Sequence, residues 1–201
     1  MNFDLPNFGT SRFEAALMLA YRVHHGQTRK GTHTPYIAHI FGVAAIAMEY
    51  GADEDLAIGA LLHDAAEDGG GEPRLAEIRA RFGDVVGDIV LGCSDSLVED
   101  PAEKLPWLER KQQYLAHLAH ASPAVCLVSA ADKLYNVRAV ARDLRLHGDE
   151  VWARFQGGRD GTLWYYDAVA DALLKRRRMP LTTDLRGEVD ALLKSTVEAG
   201  L

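Results

Sequence analysis

Four polar side chains follow an apolar run in LLHDAAEDGG, residues 61–70: His63, Asp64, Glu67 and Asp68. On a helix, residues four positions apart lie on one face, one turn apart. His63 would therefore lie one turn before Glu67, and Asp64 one turn before Asp68. An imidazole beside a carboxylate suits a borderline divalent metal such as Mn²⁺, Fe²⁺ or Zn²⁺. The segment therefore predicts half of a metal site at the C-terminal end of a helix.

The remaining ligands must come from other parts of the chain. The best candidates are His39 and Asp132, since each lies in a stretch of apolar or small residues where a polar group needs a partner. His39 could instead be a packed core histidine, and Asp132 could simply pair with Lys133 or Arg138. The sequence has no P-loop and no G-x-S-x-G nucleophile motif, which leaves the histidines and carboxylates to carry any chemistry.

Charge and composition argue against nucleic acid and membranes as partners. The net charge is −7, whereas binding to a phosphate backbone requires a basic face. No long apolar window predicts a transmembrane helix, and the first residues lack the basic and apolar regions of a secretory signal. Cys93 and Cys126 fit buried free thiols in a reducing compartment. We therefore expect a cytoplasmic protein.

The elements that must position these residues are helices. Apolar residues recur with helical spacing almost throughout, and no convincing alternating strand is present. Ser11 to Glu14 has the form of a capping box, and Ser122 followed by Pro123 opens the longest helix. The sequence predicts one all-α domain over 1–201, a bundle of about ten helices. We expect them near residues 11–27, 36–50, 54–68, 73–82, 84–94, 106–120, 123–146, 150–156, 160–178 and 183–198.

Three stretches carry a family resemblance: HHGQTRKGTHTPYIAH (24–39), ALLHDAAED (60–68) and ADKLYNVR (131–138). In this order and spacing they resemble the HD superfamily of metal-dependent phosphohydrolases. More narrowly, they resemble the hydrolase domain of the RelA/SpoT alarmone enzymes and the stand-alone small alarmone hydrolases, which include the metazoan SpoT homologue. An HD pair alone is a weak signal, but HDxxED between TPYxxH and ADKLYN is specific. The resemblance covers residues 10–175 and implies a single HD domain.

The resemblance implies four metal ligands: His39, His63, Asp64 and Asp132. The ion in this family is usually manganese, one per chain, and another divalent metal is left open. Glu67 and Asp68 match the acidic pair that positions and activates water, and the sequence does not divide those two roles. A bound cation together with a nearby carboxylate suits hydrolysis of a phosphoric anhydride.

The resemblance also implies substrate contacts on a nucleotide: Arg29, Lys30, Asn136, Arg159 and Tyr165. The alignment slips by a residue or two near the last of these, so Trp164 or Tyr166 could replace Tyr165, or the aromatic cluster could be core packing. Ala139 stands where the long RelA/SpoT enzymes often carry a hydroxyl residue near the base, which leaves guanine preference open.

The activity that the resemblance implies is hydrolysis of (p)ppGpp to GDP or GTP with release of 3′-pyrophosphate, without synthesis. Two alternatives keep the same site: hydrolysis of (p)ppApp, and removal of the 2′-phosphate of NADPH. An alternative of another class is a regulatory HD module that binds a nucleotide without catalysis. The intact Glu67 and Asp68 argue against that module. The oligomeric state is not indicated by the sequence.

Overall fold

The computed structural model describes residues 10–98, 100 and 102–198. Over these residues the chain forms ten α-helices and one 3-10 helix, and one isolated bridge joins Thr28 to Pro35. The α-helices are α1 (Ser11–Val23), α2 (Ile37–Glu49), α3 (Glu54–Leu62), α4 (Ala65–Asp68), α5 (Gly71–Phe82), α6 (Asp84–Cys93), α7 (Trp107–Leu118), α8 (Pro123–His147), α9 (Gly158–Arg176) and α10 (Pro180–Glu198). The 3-10 helix spans Gly148–Arg154. The predicted all-α fold with about ten helices is confirmed.

Several helix ends differ from the prediction. The cap of α1 is Thr10 and not the predicted box that opens at Ser11, because the Thr10 hydroxyl accepts hydrogen bonds from the Arg12 and Phe13 amides at 3.1 and 3.5 Å. The helix also ends at Val23, four residues before the predicted end at 27. The segment predicted as a helix over 150–156 is the 3-10 helix. At α8 the predicted cap is confirmed, since Ser122 accepts from the Val125 amide at 3.2 Å.

The described residues fall into two compact units. The first takes its residues from 1–29 and 33–104, and the second from 30–32 and 105–201. A single domain over 1–201 stays a prediction. In the part of the chain that the structure describes, no helix is both long enough and apolar enough to cross a membrane.

In the first unit, α3 is the central helix. It packs against α1, α2 and α6, and its residues from Ala57 to Leu62 are all buried. Gly59 allows the close approach of α6, because a Cβ at this position would lie only 2.7 Å from Ile89 Cγ2. The apolar run that precedes His63 therefore anchors the candidate site to the core of this unit.

In the second unit, α8 holds the central place. It packs against α9, α10 and the 3-10 helix, and its buried positions run from Val125 to Val140. Asp132 lies midway along this helix and is buried, with 7% exposure, among small and apolar residues. Each unit thus carries one of the predicted aspartate ligands, Asp64 between α3 and α4 in the first and Asp132 within α8 in the second.

Candidate metal centre

The chain interrupts its helix where His63 and Asp64 stand. The predicted helix over 54–68 is wrong as one element, since α3 ends at Leu62 and α4 begins at Ala65. The His63 ring contributes to this break, because its Nδ1 lies 2.7 Å from the Ala60 carbonyl oxygen that a regular helix would offer to the Asp64 amide. The Asp68 amide still bonds the Asp64 oxygen at 2.9 Å, so Asp64 and Asp68 keep the predicted one-turn spacing.

The same contact determines which nitrogen of His63 faces the site. A carbonyl oxygen only accepts hydrogen bonds, so Nδ1 of His63 carries a proton and donates it to Ala60. Nε2 then points to Asp64, with 3.0 Å between Nε2 and Asp64 Oδ2. Histidines that bind metals usually donate their other ring N–H to a carbonyl or carboxylate in this way, which holds the ring in place.

His39 approaches the same carboxylate oxygen from α2. It lies in the first turn of that helix, is buried, and places Nε2 3.3 Å from Asp64 Oδ2. Its ring meets the His63 ring edge-on, with 5.2 Å between the centroids. One donor atom each from His39, His63 and Asp64 lies within 4.8 Å of the others, a grouping that could hold a metal ion.

Asp64 is held as a carboxylate by its neighbours. Burial alone would favour the neutral acid, but His63 and His39 outweigh it and hold the pKa of Asp64 well below its ordinary value. The Tyr36 hydroxyl also donates to Asp64 Oδ2 at 2.7 Å. The removal of this hydroxyl from water and the nearby charges of Asp64 and Asp68 raise the pKa of Tyr36 well above its ordinary value, so it stays a donor.

The two acidic residues of α4 have different surroundings. Glu67 is partly buried, and its Oε2 accepts a hydrogen bond at 3.0 Å from the backbone amide of Asp95, just after α6. Asp68 is exposed. Glu67 is therefore the more buried carboxylate of the pair, a difference that the sequence pattern did not indicate.

The loop that carries Arg29 closes on itself. The Arg29 amide bonds the Thr34 oxygen and the Tyr36 amide bonds the Gln27 oxygen, both at 2.9 Å. The guanidinium carbon of Arg29 lies 5.6 Å from the centroid of the Tyr36 ring, a cation–π contact. Lys30, the other predicted cation of this loop, is exposed.

Asp132 of the second unit is surrounded by donors. Its Oδ2 lies 2.5 Å from Lys133 Nζ, and its Oδ1 accepts from Asn136 Nδ2 at 2.5 Å. Burial alone would lower the pKa of Lys133, but Asp132 and nearby tyrosines raise it well above its ordinary value. The alternative pairing with Lys133 is thus present, whereas Arg138 pairs with Glu188. The metal role of Asp132 stays a prediction.

Two predicted substrate contacts lie on α9. Tyr165 is buried, with the Lys111 ammonium 4.8 Å and the Lys133 ammonium 5.8 Å from its ring centroid. Tyr166 is buried as well, whereas Trp164 is 39% exposed, so burial separates Trp164 from the two tyrosines. Arg159 is exposed and donates to the Thr196 carbonyl oxygen of α10 at 2.7 Å, which gives it a role in holding that helix. Both substrate roles stay predictions.

Sequence reasoning missed three residues that contact the candidate ligands or the acidic pair: Tyr36, Asp95 and Lys133. Tyr36 had a signal, because it precedes His39 by three positions and would lie close to it at the start of a helix. Asp95 had none, since it is 28 positions from Glu67 and acts through its backbone amide. Lys133 was considered only as a competing partner of Asp132.

Comparison with known proteins identifies clear relatives. The HD domain family matches residues 16–163. The chain is 39% identical to guanosine-3′,5′-bis(diphosphate) 3′-pyrophosphohydrolase MESH1 of Mus musculus over 132 residues. This alignment covers 64% of this chain and 69% of the relative. The MESH1 protein of Xenopus tropicalis is 39% identical over 148 residues, or 70% of this chain and 76% of the relative.

A solved structure shows the same fold. It is described as a metazoan ortholog of SpoT that hydrolyzes ppGpp and plays a role in starvation responses. It superposes with a TM-score of 0.73 at 27% sequence identity, over 94% of this chain and 97% of that chain. The match therefore extends over nearly the whole length of both chains.

Proposed function

This chain belongs to the HD domain family, and on that premise we propose that it is a metal-dependent phosphohydrolase that acts on guanosine-3′,5′-bis(diphosphate). Water would add to the phosphorus attached to the ribose 3′ oxygen, the bond between that phosphorus and the 3′ oxygen would break, and the 3′ oxygen would take up a proton. The products are GDP and pyrophosphate, or GTP and pyrophosphate from the pentaphosphate.

The observation that carries the proposal is the convergence on Asp64. His39 Nε2 and His63 Nε2 both face Asp64 Oδ2, at 3.3 and 3.0 Å. Two imidazole nitrogens and one carboxylate oxygen are a donor set that fits a borderline divalent metal. The chain buries both histidines to form it, and a buried polar cluster of this kind is costly without a function.

The residues present fit the divalent metal that the family implies. His39, His63 and Asp64 would hold it, and we propose manganese as the ion and Asp132 as a further ligand. When bound, the ion would neutralise charge on the phosphoryl oxygens and make water a better nucleophile at neutral pH. Both histidines must be neutral to ligate, so binding would release protons and weaken at low pH.

Glu67 is the better candidate for accepting the proton of the attacking water. Its carboxylate is partly buried and fixed through Oε2 by the Asp95 amide, and a base must be held in place to work efficiently. Asp68 lies on the same short helix but is exposed. We assign Asp68 a supporting role, that of adding negative charge and orienting water.

Positive and polar side chains would bind the anionic nucleotide. Arg29, supported by the Tyr36 ring, and the exposed Lys30 can pair with its phosphate groups. Asn136 is proposed to contact the ribose region, and Arg159 and Tyr165 the phosphates and the base. The partly buried Lys133 adds a further cation beside Tyr165.

A substrate panel tests the proposal. The purified chain with Mn²⁺ is incubated in parallel with ppGpp, ppApp and NADPH, and GDP, pyrophosphate and inorganic phosphate are measured. We expect GDP and pyrophosphate from ppGpp. Robust turnover of ppApp or NADPH without turnover of ppGpp would contradict the proposed substrate while keeping the site.

Substitution of Glu67 distinguishes an enzyme from a module that only binds the nucleotide. Glu67→Gln should lower the rate by about 10²- to 10⁴-fold, the usual contribution of a general base, while Mn²⁺ binding persists. Asp68→Asn should have a smaller effect. Glu72→Gln, an exposed glutamate of α5, is the matched control and should leave the rate unchanged. An unchanged rate in Glu67→Gln would rule out the assigned base.

A further inference from the structure

We propose that Tyr36 is a positioning residue with two separable roles: its hydroxyl orients the metal-binding carboxylate of Asp64, and its ring supports the substrate-binding cation of Arg29. One side chain would thus position both a metal ligand, Asp64, and a substrate-binding cation, Arg29. The role of the ring rests on the proposed function, whereas the role of the hydroxyl rests only on metal binding.

The contacts of the hydroxyl carry the first role. The Tyr36 hydroxyl donates to Asp64 Oδ2 at 2.7 Å, and this is the same oxygen that faces Nε2 of His39 and of His63. A carboxylate oxygen has two lone-pair directions, so a donor on one side fixes where the other points. Hydrogen bonds to ligating carboxylates commonly tune metal affinity in this way.

The contacts of the ring carry the second role. The His24 ring stacks on the Tyr36 ring, with 4.9 Å between centroids and 27° between planes, and His39 meets it edge-on at 5.3 Å. These neighbours hold the ring in place. Arg29 lies 5.6 Å from its centroid, so the guanidinium rests on a fixed aromatic face.

The backbone explains why a residue at this position can serve both. Tyr36 is the last residue before α2, and its amide closes the loop by bonding the Gln27 oxygen at 2.9 Å. Its carbonyl accepts from the amide of His39 at 2.9 Å. Tyr36 is thus tied to the loop that carries Arg29 on one side and to the first turn that carries His39 on the other.

Two substitutions separate the roles. Tyr36→Phe removes the hydroxyl and keeps the ring, so Mn²⁺ affinity should fall by about 10-fold, while KM for ppGpp at saturating Mn²⁺ changes by less than about twofold. Tyr36→Leu removes both, so the same loss of Mn²⁺ affinity should come with a rise in KM of about two- to fivefold. Tyr21→Phe, an exposed tyrosine of α1, is the control and should change neither value.

Manganese titration without nucleotide, followed by the paramagnetic resonance of free Mn²⁺, measures the first effect, and steady-state kinetics measure the second. Far-UV circular dichroism checks folding. The titrations are run at a temperature where the far-UV spectrum of each variant matches that of the unmodified chain. Wild-type Mn²⁺ affinity in Tyr36→Phe would overturn the role of the hydroxyl. An unchanged KM in Tyr36→Leu would overturn the role of the ring.

The outcomes also distinguish this proposal from the proposed function. If the unmodified chain bound Mn²⁺ but did not turn over ppGpp, the substrate assignment would fail and the titration would still decide the role of the hydroxyl. The ring would then be tested by GDP affinity, with the same expected order of the two variants. Equal GDP affinity in Tyr36→Leu and the unmodified chain would overturn its role.

Discussion

Asp64 and Asp132 are both predicted metal ligands, yet the structure surrounds them differently. Asp64 faces two imidazole nitrogens and a tyrosine hydroxyl. Asp132 faces the ammonium of Lys133 and the amide of Asn136. The first environment includes two imidazole nitrogens that can ligate a metal beside the carboxylate, whereas the second includes an ammonium and an amide that donate to the carboxylate.

The difference teaches that burial of an aspartate does not identify its role. Asp64 is partly buried and Asp132 is buried, and both carboxylates need partners there. The partners of Asp64 are two histidines and a tyrosine, none of which carries a permanent charge. A bound metal ion can therefore supply the positive charge beside this carboxylate. Beside Asp132 the positive charge comes from the side chain of Lys133, whose ammonium lies 5.4 Å from the centroid of the Tyr114 ring. The Asp64 region therefore carries the stronger metal signal.

The largest expected effect is at Asp64. Asp64→Asn keeps the shape but removes the charge on which the two histidines converge, so Mn²⁺ binding and hydrolysis of ppGpp should both fall below detection. Far-UV circular dichroism should show little loss of helix. Asp88→Asn, an exposed aspartate of α6, is the matched control. Stoichiometric Mn²⁺ in Asp64→Asn would contradict the ligand assignment.

Asp132→Asn tests the other side of the comparison. If Asp132 is a ligand, as predicted, Mn²⁺ affinity should fall strongly. The substitution also leaves Lys133 without its carboxylate in a largely buried position, so the free energy of unfolding should drop by about 3–5 kcal/mol. Urea unfolding and Mn²⁺ titration measure the two effects separately. A loss of stability with unchanged Mn²⁺ affinity would show that Asp132 is not a metal ligand and that it stabilises the fold through Lys133 and Asn136.

The fold was predictable because its signals are local. Helical spacing of apolar residues, Ser122 with Pro123 and the glycine after α8 each act within a few positions. The end of α3 was not predictable, because the break depends on the orientation of the His63 side chain, which the sequence does not show. Spacing alone continues the helix through Asp68, whereas the bond from His63 to the Ala60 carbonyl takes a helical acceptor out of use.

The site was predictable in its ligands but not in its supports. His39, His63 and Asp64 stand out because polar residues in apolar stretches need a reason. The Asp95 amide that holds Glu67 leaves no trace in the sequence, since every residue other than proline has a backbone N–H. Tyr36 is intermediate: its spacing from His39 was visible, but its hydrogen bond to Asp64 joins residues 28 positions apart.

A tyrosine near Asp132 gives a smaller test of the comparison. The Tyr114 hydroxyl shares a hydrogen bond of 2.7 Å with the Ser129 hydroxyl, and both groups are buried. Tyr114→Phe leaves Ser129 without this partner, so the free energy of unfolding should fall by about 1 kcal/mol. Mn²⁺ affinity should not change, in contrast to Tyr36→Phe. A fall in Mn²⁺ affinity would show that the second region supports the metal as closely as the first.

The smallest expected effect is the pH dependence that His24 adds to the Asp64 region. His24 is buried against Tyr36, and burial lowers its pKa from the ordinary value of 6.5, although Gln27 and Asp64 oppose this. Between the lowered pKa and 6.5 the unfolded chain binds more protons than the folded one, so the stability that neutral His24 contributes is complete above pH 6.5 and declines as the pH falls below it.

His24→Gln should therefore lose less free energy of unfolding than the unmodified chain between about pH 7.5 and about pH 5.5, measured by urea unfolding without metal. His117→Gln, an exposed histidine of α7, is the control and should keep the pH dependence of the unmodified chain. An identical loss in His24→Gln would mean that His24 is protonated equally in the folded and unfolded chain. Burial against Tyr36 would then leave the pKa of His24 at its ordinary value, and His24 would add no pH dependence to the stability of this region.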